Sequence, residues 1–312
     1  MYQSGSVNGA RNVLLSAVRS HGSALDYSLL GSIEFQQEHL AEAGKYLERA
    51  LALDPGLPGT RLTLARLINL QGNTEGALAL LLEAKKRRPD DPGVLYAVGA
   101  LCLQMDLIKD ANANLAKAVQ LEPDNPQARY SLASARIADH DLPSAIQIYE
   151  GLLKADPANP QFSYALGTTY FLANQNDRAK TWLEKSVALA PEQVESYYYL
   201  GLIAQQESDV TKSIELFTTV VSRQPDHWRA HVALGMAYRS DGRLPDAKRE
   251  LEKAVEADPA SQKAHYQLGL VLTSLKETER ARAELATASR LRAESDDKVK
   301  WELAPANSRK EN

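Results

Sequence analysis

The 312-residue chain holds a single cysteine, Cys102, so neither an intrachain disulfide framework nor a thiolate metal cage can form. That fits a reducing compartment. No apolar run approaches the roughly 20 residues needed to span a bilayer. The opening residues, MYQSGSVNGARNVLLSAVRS, lack the basic start and long apolar stretch of a secretory signal. A cytoplasmic site is therefore favoured, with export expected only if a signal has been removed. A formal net charge of −4 argues against nucleic acid as a partner, because neutralising phosphates calls for a basic face. Glycine-rich phosphate loops, HExxH and paired cysteines are all missing. The many carboxylates are scattered over exposed helix faces, so the expectation is a non-enzyme without a cofactor. A chain that is 44% hydrophobic and 24% charged is nonetheless one that folds.

What the chain does have is a period. Pro55, Pro89, Pro123, Pro157, Pro191, Pro225 and Pro259 are each separated by 34 residues. Self-similarity at that spacing marks a repeat architecture. Aligned on the prolines, each unit reads as two helices. The first carries Leu or Val before a small residue, as in Leu30-Gly31, Leu64-Ala65, Val98-Gly99 and Leu200-Gly201. Glycine inside a helix costs about 1 kcal/mol relative to alanine, so its recurrence implies a backbone that a partner helix crosses closely. The second helix supplies a small residue (Ala43, Ala77, Ala111, Ala145, Ala179, Ser213, Ala247, Ala281) and, one turn on, a large one such as Leu47, Tyr149 or Phe217. The recurring proline ends the second helix, since it cannot donate to the ladder and disfavours helix in the residue before it. Helices this short are marginal alone in water and must be stabilised by stacking.

The pattern resembles the tetratricopeptide repeat family, whose features in one unit here are Tyr27, Leu30, Gly31, Ala43, Leu47, Ala50 and Pro55. The resemblance implies an all-α, right-handed superhelical solenoid of antiparallel helix pairs, about eight units of 34 residues over 24–295. Residues 1–23 are expected to form a half-repeat or capping helix, and 296–312 a charged C-terminal cap and disordered tail. In the eighth unit Ala293 replaces the proline, so its last helix should run on through LRAESDDKVKW.

In this family the first helices line a concave groove where partners bind. One groove position reads Tyr96, Tyr130, Tyr164 and Tyr198 in four consecutive units. Two turns on, the same face carries Leu103, Ile137 and Phe171. These residues are expected to form an amphipathic stripe, with Arg229, Arg239 and Lys263 projecting near its carboxy-terminal end. An extended peptide with apolar side chains and an acidic end suits that layout. The Lys, Asn and Arg set of the family's carboxylate-clamp members is replaced by residues such as Ser28, Ser32 and Thr63. The asparagine row of its sugar-transferring members is replaced by residues such as Thr63, Ala97, Ser131 and Tyr199. His227 and His231 have a spacing that can put two imidazoles on one metal. His231, however, shares a repeat position with Tyr27, Tyr197 and His265, so a packing role is expected and no metal. The function expected is a scaffold for a protein or peptide partner. The alternatives are a self-assembling, homo-oligomeric structural module or an accessory region cut from a larger enzyme, regulator or secretion component.

Overall fold

The computed structural model describes residues 4–57 and 59–303, with side chains described for 7–57 and 59–295. Seventeen helices and no strand occur among the described residues, in two compact units divided between Leu152 and Leu153. The first unit holds α1 (Ser4–Ser20), α2 (Ala24–Gln36), α3 (Leu40–Leu53), α4 (Thr60–Leu70), α5 (Thr74–Arg87), α6 (Pro92–Gln104), α7 (Ile108–Leu121) and α8 (Pro126–Ala138). Helix α9 (Leu142–Ala155) contains the division. The second unit holds α10 (Pro160–Leu172), α11 (Asn176–Leu189), α12 (Val194–Gln206), α13 (Val210–Arg223), α14 (Trp228–Ser240), α15 (Leu244–Ala257), α16 (Gln262–Ser274) and α17 (Thr278–Leu303). The fold is an all-α solenoid of antiparallel helix pairs. As expected, α17 continues past Ala293 to Leu303; the tail after it lies outside the described residues.

Each proline of the period stands two residues beyond a helix end, after Leu53, Arg87, Leu121, Ala155, Leu189, Arg223 and Ala257. The intervening residue leaves the helical region wherever its cap geometry is known, as at Asp54 (φ −138°, ψ 97°) and Asp258 (φ −139°, ψ 86°), in keeping with proline's disfavouring of helix in its predecessor. The next helix often starts on a second proline at a position where no amide hydrogen is needed. Asp91, Asn125 and Asn159 precede Pro92, Pro126 and Pro160, and each caps a backbone amide at 3.1 Å.

Packing inside a pair differs in one respect from the sequence expectation. The recurrent glycine makes room less for the small residue of the second helix than for the large one a turn further on. A Cβ added to Gly31 would lie 2.7 Å from Leu47 Cγ and 3.1 Å from the Leu47 amide nitrogen. At Gly201 it would lie 2.6 Å from a ring carbon of Phe217. The alanines Ala43, Ala77, Ala111 and Ala145 are buried beside these contacts. In the first unit the core gathers around Leu47, Leu64 and Leu67, and around Leu81, Val98, Leu115 and Leu132. In the second it gathers around Phe217, Leu234, Leu251, Leu268 and Leu272. Each leucine buried this way contributes about 1.5–3 kcal/mol. Cys102 is buried among them, and its thiol pKa is raised by that burial.

Candidate functional site

In the second unit the stripe residues converge on a ring that sequence reasoning left out. Tyr199 meets Phe171 at 5.4 Å, Tyr164 at 6.1 Å and Tyr198 at 5.7 Å between centroids, each in edge-to-face geometry. That is the arrangement aromatic quadrupoles favour. All four rings are half-buried on the first helices α10 and α12. Tyr198 also touches the Phe217 ring (5.9 Å) and the His227 ring (5.1 Å). Burial pushes the Tyr198 and Tyr199 hydroxyls above their ordinary pKa, so both stay neutral hydrogen-bonding tips at physiological pH.

In the first unit Tyr96 and Leu103 are half-buried against the core of α5 to α8. Tyr130 sets its ring edge against Tyr149 at 5.4 Å. Tyr149 is wholly buried, shares a hydrogen bond with Ser134 (3.2 Å), and has a pKa pushed up to about 12 by burial. Part of Tyr130 is therefore framework. Ile137 is half-buried on the same helix.

Of the three expected cations, Arg229 is exposed, stacks its guanidinium over the Trp228 ring at 4.9 Å, and acts electrostatically on Tyr198 and Tyr199. Arg239 is half-buried and Lys263 exposed. Neither makes a side-chain hydrogen bond or ion pair among the described residues.

The two histidines of the DHWRAH stretch are engaged separately. His227 caps α14 by accepting the Ala230 amide on Nδ1 (3.0 Å), which leaves Nε2–H to donate to Glu195 Oε1 (3.3 Å). Buried His231 sets Nδ1 2.8 Å from Glu250 Oε2 and Nε2 2.9 Å from the Pro225 carbonyl oxygen, within hydrogen-bond reach of both. His265 repeats the device one unit later with Glu284 (2.6 Å) and the Pro259 carbonyl (3.0 Å). His231 is thus a hydrogen-bonding hub as well as a packing residue.

A second feature escaped the sequence. Between α4 and α6 lies an open cavity of about 220 Å³. Leu62 and Tyr96, which share the tyrosine-row position, line it together with Leu81, Arg66, Asn69 and Gln104. Asn69 Nδ2 donates to Gln104 Oε1 at 3.1 Å. Its Oδ1 is shielded from water and has no hydrogen-bond partner among the described residues. The polar members belong to rows one and two turns past the tyrosines, and only the register of adjacent units brings them together.

Family models described as tetratricopeptide repeat match residues 34–101 and 136–205 in one form. In another form they match 2–58, 103–160, 200–247 and 232–296. No curated protein sequence matches the chain. Among solved structures, the Cut9–Hcn1 hetero-tetramer of the APC/C aligns with TM-score 0.63 at 18% identity, over 91% of this chain and 56% of that one. The chain thus spans little more than half of that relative. A tetratricopeptide repeat protein from Parabacteroides merdae ATCC 43184 aligns with TM-score 0.61 at 17% identity, over 74% and 91% of the two chains. The human IFIT1 dimer with m7Gppp-AAAA gives 0.52 at 17%, over 92% and 73%. At these identities the likeness is one of fold.

Proposed function

Since the chain belongs to the tetratricopeptide repeat family, we propose that it is a non-enzymatic interaction scaffold holding an extended peptide segment of a partner protein along its first helices. The units number eight over 24–295 in this reading, between the α1 cap and a charged end segment. The fold is a scaffold for protein contacts, and function resides in the side chains it presents. The observation that carries the proposal is the aromatic cluster on Tyr199. Four rings held edge to face give a rigid, partly exposed apolar surface with polar tips, the composition that anchors protein contacts. Arg229 beside it favours an acidic residue in the partner.

Phage-displayed random dodecapeptides selected on the whole chain, then synthesised with a fluorescein label, test this by anisotropy. The combined change Tyr164→Ala, Phe171→Ala and Tyr199→Ala should weaken binding at least about tenfold, a loss of ~1.4 kcal/mol. Circular dichroism should show the helices intact. Arg229→Glu provides a second readout that leaves the rings in place. Equal binding by all forms would count against the groove reading.

A further inference from the structure

The cavity between α4 and α6 has the size, lining and polarity of a socket for one side chain. At about 220 Å³ it is smaller than the roughly 300–1,000 Å³ of small-molecule pockets, yet far larger than the packing voids of a protein interior. Its apolar lining comes from Leu62 and Tyr96, one from each helix, with buried Leu81 contributed by α5. Two polar features of the lining point to a peptide. Asn69 spends its amide N–H on Gln104 and is left with a shielded acceptor that has no partner among the described residues. A shielded polar atom without a partner costs about 1–3 kcal/mol, which a ligand donor recovers once the Asn69 side chain turns that group into the open cavity. If both amides were turned over, the unpaired group would be an N–H and its complement a carbonyl. A peptide bond supplies the complement in either orientation. Arg66 is exposed, lines the same cavity and makes no ion pair among the described residues, so its charge is available to a carboxylate.

We propose that this cavity is a specificity socket taking one leucine- or phenylalanine-sized side chain of a bound peptide. Asn69 holds the adjoining peptide bond and Arg66 pairs with an Asp or Glu next to the inserted residue. The proposal rests on the groove reading and deepens it, by naming a sequence element of the partner: a large apolar residue beside an acidic one.

The same dodecapeptide selection on the whole chain is the test, with variants chosen so that the two readings fail separately. Selected peptides should share a Leu or Phe next to an acidic residue. Arg66→Glu should weaken their binding at least about tenfold. A peptide with Lys in place of the acid should bind that variant better than it binds the wild type. Leu62→Trp, which fills the socket, should weaken binding as strongly, and Asn69→Leu several-fold. Thermal melts followed by circular dichroism confirm that each variant folds. Peptides that bind Arg66→Glu and Leu62→Trp normally but lose affinity to the Tyr164, Phe171 and Tyr199 triple variant would overturn the socket and leave the groove standing. Peptides indifferent to both sets, or no enrichment at all, would overturn both.

Discussion

At the scale of single residues, the turn inside each helix pair carries a feature the sequence conceals. Glu38, Gly72, Asp106, His140, Asn174, Ser208, Gly242 and Lys276 all have positive φ, between 56° and 87°, and they recur at the 34-residue period. Each follows the C-cap of a first helix. The next residue's amide reaches back five positions, from His39 to the Glu34 carbonyl (2.9 Å) through Glu277 to Leu272 (3.0 Å). That is the Schellman closure of a helix, where glycine is normally favoured. Only two of these eight residues are glycine. The other six accept a left-handed conformation that costs an L-residue about 1–2 kcal/mol, partly offset by glycine's greater freedom in the unfolded chain. Lys276→Gly and Ser208→Gly should therefore each stabilise by about 0.5–1 kcal/mol, and Gly242→Ala should destabilise by about 1 kcal/mol. Urea titrations followed by circular dichroism read these shifts; a loss of stability in both glycine variants would contradict the account. Gly201→Ala addresses close approach instead, since its Cβ would strike the Phe217 ring. It should cost about 1–3 kcal/mol in the same titration.

Between elements, the helix ends were legible because proline acts on the residue before it, a constraint one residue long. The pairing of small and large positions was legible because it repeats eight times. Other features were hidden because their partners are far apart in the chain. Glu250 lies 19 residues beyond His231, on α15, and nothing local in DHWRAH reveals it. Asn69 and Gln104 are 35 residues apart, so the socket exists only once α4 and α6 are in register. Tyr199 stood at a position read for the absence of asparagine, although its ring joins three others. The His231–Glu250 link ties α14 to α15 and carries a pH signature. Burial alone would push the Glu250 carboxyl up, but hydrogen bonds from His231 and Lys253 outweigh it and hold the pKa below the ordinary 4.5. A folded-state pKa below the unfolded one stabilises above the unfolded value and stops doing so as pH falls through the folded one. Glu250→Gln should thus cost about 1–3 kcal/mol at pH 7, with the deficit shrinking as pH falls below about 4. Paired urea titrations at pH 7 and pH 3.5 check this; a deficit that grows on acidification would reverse the sign.

At the scale of the molecule, a period carried by neighbour-to-neighbour contacts makes stability a local property. Within the second unit, Phe217 is wholly buried and packs across Gly201 on α12 and against Tyr198, in a core that continues through α14 and α15 to α16. Removing a buried ring of this kind costs about 3–5 kcal/mol. In a globule with one cooperative core that loss would lower protection throughout. In a solenoid the cost falls on the damaged unit and its immediate interfaces. Phe217→Ala should therefore speed amide exchange by about a hundredfold or more in α12 and α13, by the conversion of ~1.4 kcal/mol per tenfold. The change should fade across α14 and be slight in the middle of α16. Hydrogen exchange read by mass spectrometry on peptides from each helix resolves the gradient. Uniform acceleration from α12 to α17 would mean that this unit opens as a single block, and neighbour-limited stacking would then be the wrong description of what holds it together.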